Sequence, residues 1–183
     1  MQDEVRYIYK DLQTSLIKLI PEKWDSICLY ASVLEDRKGE MYFYYFPKRF
    51  IKSKPINCYE IASRFGIDEK VYDEEIAKIY TKIKRLKLLT KGRWTNITLI
   101  IDKNLFTLEY HYNDLHKSIY TDEQRRIIWC YKYLHTPLES LNKKEQELVT
   151  HYREETNIRP TIFIEDAKHL EEVKIVRNQI LKC

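Results

Sequence analysis

Glycine is nearly missing: the 183 residues hold three, at Gly39, Gly66 and Gly92. Phosphate-cradling loops of the GxGxxG or GxxxxGK kind need several glycines within a few positions, so that backbone N–H groups can close around the anion. Neither loop can be built here, which disfavours nucleotide-dependent enzymes of the common folds. Cysteine is sparse as well. Cys28, Cys58, Cys130 and Cys183 lie far apart, form no CxxC pair and supply no metal-ligand spacing, so they read as isolated reduced thiols. No apolar run approaches the ~20 residues that a bilayer-spanning helix needs. The opening MQDEVRYIYK is charged and mixed, unlike a signal peptide. A cytoplasmic protein that stays off the membrane is expected.

Catalytic signatures are absent too. His111, His116, His135, His151 and His169 fit no HExxH or Cys–His pattern, and a metal site needs three or more converging ligands. No GxSxG-like nucleophile turn occurs. The acidic pairs Glu35-Asp36 and Asp122-Glu123 fit a turn and a helix start better than a general acid and base. The expectation is a protein that is not an enzyme and carries no cofactor and no metal.

Aromatic residues and unevenly placed charge are what the chain has. Fifteen tyrosines, six phenylalanines and three tryptophans make up 13% of it. The net charge of +4 is concentrated: residues 47–93 hold thirteen basic and six acidic groups, while the flanking segments are nearly balanced. Such a segment suits nucleic acid, an acidic protein surface, or a solvated helix face whose cations complement the negative end of the helix dipole.

Hydrophobic spacing sets the elements. Val5, Ile8, Leu12, Leu16 and Ile20 recur at helical steps up to Pro21. DSICLYASVLED and EMYFYYF then alternate as a hairpin with a turn at Arg37-Lys38-Gly39, and PKRFIKSKPIN reads as a loop. CYEIASRFGI is a short helix ending at Gly66, and Asp68 caps a long one over about 70–89. The stretch RWTNITLIIDKNLFTLEYHYNDL is a second hairpin turning near Lys103-Asn104. Ile97, Leu99 and Ile101 share one face of its first strand and Phe106, Leu108, Tyr110 and Tyr112 one face of its second, while the other faces carry Trp94, Asn96, Thr98, Thr107, Glu109 and His111. Thr121 and Gln124 have capping-box spacing before a helix in which Ile127, Ile128, Tyr131 and Leu134 point inward, with Arg125, Trp129 and Lys132 on another stripe. A helix over about 143–155 follows.

The expected fold is therefore α+β: a mainly antiparallel four-stranded sheet of two hairpins with helices packed on it. Residues 1–155 are expected to form one domain. Residues 156–183 are a C-terminal extension ending in an amphipathic helix that packs on the domain, with dimerisation through it as an alternative. Trp94, Asn96, Tyr112, Asp114, Arg126 and Trp129 form a polar-aromatic group of the kind that anchors protein interfaces. They are the candidate partner-binding residues. The competing function is nucleic-acid binding or regulation through the basic segment 47–93, although most aromatics lie away from it and no RNP-like, zinc-finger or helix-turn-helix pattern appears.

Five stretches, IPEKWDSICLYASVLED, GEMYFYY, WTNITLIID, FTLEYHYNDL and RRIIWCYKYL, occur in this order between Ile20 and Leu134, and the resemblance they carry covers about residues 5 to 135. Together they resemble the YezG-like family of bacterial immunity proteins, antitoxins of LXG-type polymorphic toxins. The resemblance implies a non-enzymatic cytoplasmic protein. Its partner would be the C-terminal domain of a cognate toxin, often a nuclease, that leaves the cell by type VII secretion. The mechanism it implies is occlusion of the toxin's catalytic cleft. Basic residues 47–93 depart from the acidic character a nuclease inhibitor would often have.

Overall fold

Ile8, Leu12 and Leu16 repeat at three- and four-residue spacing and are buried along one side of α1, Gln2–Lys18. The computed structural model describes residues 2–36, 38–48, 54–102 and 105–158. The strands are β1 (Trp24–Ser32), β2 (Met41–Pro47), β3 (Ile56–Asn57), β4 (Asn96–Asp102) and β5 (Leu105–His111). The helices after α1 are α2 (Cys58–Phe65), α3 (Glu69–Thr90), α4 (Asp122–Tyr133) and α5 (Lys143–Ile158).

The α+β class is as expected, but the sheet has five strands, in the order β3-β2-β1-β4-β5. All four pairings are antiparallel. The added strand lies within the stretch read as a loop. It pairs with β2 through Tyr44↔Asn57 and Tyr45↔Ile56. Two residues are too few to show alternation, and Pro55 just before them suits a sheet edge, where one side needs no ladder donor.

Register decides which residues share a face. Ile27 stands opposite Tyr45 and Ile101, and Leu29 opposite Phe43 and Leu99. The row continues into β5 as Ile101↔Phe106, Leu99↔Leu108 and Ile97↔Tyr110. Nearly all of these side chains are buried, and α1 closes over the β5 side of them. There Tyr9 and Tyr110 share a 2.8 Å hydrogen bond, and the Tyr9 ring lies 6.0 Å from that of Phe106. Helix α3 packs beside α1, with Lys82 donating to Asp11 at 2.8 Å and to Ser15 at 2.7 Å. Asp68 caps α3 by accepting from the Val71 N–H, as its spacing implies. Gly66 closes α2 at φ 64°, a left-handed conformation in which a side chain would be strained.

Contacts divide the chain into two compact units, the first running to Asn113 and the second starting at Asp114. In the second unit the capping box is present: Gln124 donates its backbone N–H to Thr121 Oγ1, and Thr121 donates its own to Gln124 Oε1. Helices α4 and α5 pack together. Tyr120 donates to Glu155 Oε2 at 2.5 Å, and its ring meets Tyr152 edge-on at 6.4 Å. The expected turn residues Arg37, Lys103 and Asn104 lie outside the described residues, as does the chain beyond Ile158, where the terminal helix was expected. No helix of the described residues is long and apolar enough to cross a membrane.

Leu29 is fully buried at the centre of the sheet. Leu29→Ala is expected to cost about 2–5 kcal/mol through lost transfer energy and the cavity left behind. Urea denaturation monitored by circular dichroism measures it.

Candidate functional site

The candidate residues divide between the two units, and the first three belong to the hairpin. Strand pairing of β4 begins only at Asn96, so alternation does not govern Trp94. Its side chain therefore does not join Asn96 and Thr98 on the polar face. It is 1% exposed, its ring centroid is 5.5 Å from that of Tyr110, and its Nε1 donates to Thr90 Oγ1 at 3.3 Å. Lys87 Nζ lies 5.5 Å above the ring and donates to the Val33 carbonyl at 2.6 Å. A Cβ on Gly92 would run into the Trp94 indole, so this glycine permits the close approach of chain and ring. Trp94 is thus the wedge of a corner that joins the end of α3 to the end of β1 and the start of β4.

The polar face is as the alternation indicated. Thr98 stands opposite Glu109, and Asn96 opposite His111. His111 Nε2 and Thr98 Oγ1 share a 3.2 Å hydrogen bond, and Glu109 Oε2 lies 3.9 Å from the same nitrogen. On the neighbouring strands the same face carries Tyr30 stacked on Tyr42 at 4.9 Å, with Tyr44 meeting Tyr42 edge-on at 6.3 Å. Cys28 lies on this face too, its thiol pushed up to about 12 by burial and by the nearby Asp102. Such a thiol is no nucleophile at neutral pH.

Thr95 is the residue that sequence reasoning passed over. Its hydroxyl lies 2.8 Å from the Asn113 carbonyl and 3.2 Å from that of His111, and it accepts from Asn96 Nδ2 at 3.1 Å. It fastens the chain leaving β5 to the chain entering β4. Only its place between Trp94 and Asn96 pointed to it, because a threonine hydroxyl at a strand end has no periodic signal. Tyr112, between the His111 and Asn113 carbonyls that the Thr95 hydroxyl engages, is 42% exposed.

In the second unit, Asp114 is exposed and acts as a turn cap. Its Oδ1 accepts from the His116 N–H at 3.0 Å, and its Oδ2 lies 3.5 Å from Lys117 Nζ. The His116 hydrogen bond is the first cause holding its carboxyl below the usual range. Arg126 is half-buried on α4. Trp129 is 6% exposed and sits with Ile128 on the buried side of α4, not on a separate stripe. Its ring is 5.4 Å from that of Tyr133, over which Lys132 Nζ stands at 4.9 Å. The buried arc of this helix is wide enough to take two consecutive large residues, which a three- and four-step count separates. Tyr120 is pushed up to about 12, first by loss of solvent and then by its bond to Glu155.

Asn96 is 5% exposed. Trp94, Asn96 and Trp129 are therefore buried, Arg126 is half-buried, and Tyr112 and Asp114 are the exposed members of the set. Among the described residues no group of three or more His, Cys, Asp or Glu side chains is arranged to hold a metal ion.

The model of the family described as "Immunity protein YezG-like" matches residues 5–148. The chain belongs to this family. The match contains all six candidate residues and encloses the motifs from IPEKW to RRIIWCYKYL. Among curated relatives, Immunity protein YezG of Bacillus spizizenii (strain W23) is 29% identical over 133 residues, 69% of this chain and 80% of the relative. Immunity protein YezG of Bacillus subtilis (strain 168) is 27% identical over 150 residues, 79% of this chain and 95% of the relative. Membership in the YezG-like family supports an immunity function.

Burial separates the structural candidates from the surface ones. Trp94→Ala is expected to cost about 3–5 kcal/mol, as large aromatic truncations in a core do, whereas Tyr112→Ala changes stability by about 0.5 kcal/mol or less. Paired urea melts of the two variants check this.

Proposed function

We propose that this chain is a cytoplasmic immunity protein that binds and neutralises a cognate secreted toxin. The family match over residues 5–148 carries the proposal. The toxin is of the LXG type, exported by type VII secretion, and its C-terminal domain is a nuclease whose active site the immunity protein covers. The protein acts by binding, without catalysis and without a cofactor.

The site chemistry supports this reading. Tyr112 and Asp114 offer an aromatic and an acidic contact at the surface, and tyrosine is favoured in interfaces because it buries much area at little entropic cost. Within the first unit, Trp94, Asn96 and the Thr95 hydroxyl fix the backbone at the end of β5, so that Tyr112 is presented in one geometry. On α4, Trp129 is buried against Tyr133 and Arg126 is half-buried. Preorganisation of this kind lowers the ordering cost of association.

Nucleic-acid binding through residues 47–93 has less support. Lys82 and Lys87 are committed to contacts within the first unit, and Lys78 is paired with Glu75.

Co-expression tests the proposal. The toxin domain encoded beside this gene should kill the host alone and spare it when this chain is present. The two should also copurify at about 0.5 M salt, where surface charge attraction is largely screened. Cell death despite a well-expressed, folded chain would refute the assignment.

A further inference from the structure

From Ile76 to Ile101 the chain has seven basic residues and no acidic one. Three of the seven are used internally: Lys78 with Glu75, Lys82 with Asp11 and Ser15, and Lys87 with the Val33 carbonyl. Lys84, Arg85, Lys91 and Arg93 are exposed, Lys84 with its Nζ 5.3 Å over the Tyr80 ring, and among the described residues no acidic side chain pairs with them. Leu88 stands in their midst at 78% exposure, the highest of the large hydrophobic residues among the described ones. Lys84 and Leu88 are four positions apart, and Arg85 and Lys91 are each three from Leu88, so these four residues occupy one face of the last turns of α3.

The helix dipole explains a cation or two near a C-terminus. It does not explain an apolar knob at their centre, nor Arg93, which lies beyond the Lys91 cap. This end of α3 is also held firmly. Lys91 and Gly92 donate backbone N–H groups to the Leu88 and Lys87 carbonyls, and Trp94 wedges the following chain in place. A rigid apolar knob inside a collar of unneutralised cations is a docking feature.

We propose that Leu88, with Lys84, Arg85, Lys91 and Arg93, is a second contact surface that docks on an acidic, apolar-notched patch of the toxin domain. The proposal rests on the reading of the chain as a toxin-binding immunity protein and adds where, and to what chemistry, part of it binds. Charge decides the occupant. The substrate groove of a nuclease must attract phosphates and is itself cationic, so this collar would be repelled there. It therefore meets the toxin outside the groove. A nucleic acid fits the patch less well, since a leucine offers no ring on which a base can stack. The cations speed encounter, and Leu88 slows release.

The test measures association and dissociation of the full chain with the catalytically inactivated C-terminal domain of the toxin encoded beside its gene. Lys84→Glu/Arg85→Glu should slow association about 10-fold or more at low salt, with the difference shrinking as salt rises. Leu88→Ala should speed dissociation about 10-fold. Lys70→Glu, an exposed reversal at the other end of α3, should change neither rate by more than about twofold. Melting curves confirm folding, and Lys84→Gln/Arg85→Gln replaces the reversal if that variant does not fold. Tight binding with wild-type rates in both α3 variants would overturn the inference while leaving the immunity reading intact. No binding by the unaltered chain would overturn both. Salt-sensitive binding to random duplex DNA, lost in the double variant while toxin binding is unchanged, would assign the patch to nucleic acid and overturn it too.

Discussion

Strand β1 is the element on which the first unit depends, because it is hydrogen-bonded on both edges and buried on both faces. It pairs with β2 on one side and β4 on the other over nearly its whole length. Ile27, Leu29 and Ala31 point to one face and Cys28, Tyr30 and Ser32 to the other, and all six are buried. A charge at any of these positions would have to be desolvated without a partner, a cost of several kcal/mol. That constraint explains why ICLYAS carries no charged residue, why Cys28 resists ionisation, and why β2 and β4 bring large side chains to both faces. Stacking of Tyr30 on Tyr42 fills one of those faces with rings whose hydroxyls keep hydrogen-bonding capacity.

From β1 the logic runs to the corner at its far end. Val33, just past the strand, donates to the Thr95 carbonyl and accepts from Lys87. Thr95 in turn holds the end of β5, and Trp94 closes the space between α3 and Tyr110. One buried corner thereby sets the positions of two surfaces: Tyr112 at the end of the hairpin and the cationic face around Leu88 at the end of α3. Under the proposed function these are the places where a partner meets a rigid backbone.

Much of this was legible in the sequence because it is periodic. The stripe of α1, the Asp68 cap, the Thr121–Gln124 box and the two-faced β4–β5 hairpin all have repeating or position-specific signatures. What was not legible lacks a period. Strand β3 is two residues long. Trp94 was assigned to the polar face by extending alternation two residues before the strand begins, and its real position depends on Thr90, Lys87 and Tyr110, which are distant in the pattern. Trp129 was set apart from Ile128 because a step count ignores the width of a buried arc. The roles of Thr95 and of Lys87 appear only when chain ends that are far apart in sequence meet. The family resemblance was readable for a different reason: five motifs in a fixed order carry more information than the spacing within any one of them.

The central claim, neutralisation by stoichiometric binding, is tested most directly by titrating a fixed amount of active toxin domain with the purified chain. Binding and occlusion predict that toxin activity falls linearly and vanishes near molar equivalence. A chain that leaves activity untouched at excess, or that abolishes it at a small fraction of an equivalent as an enzyme would, contradicts the account.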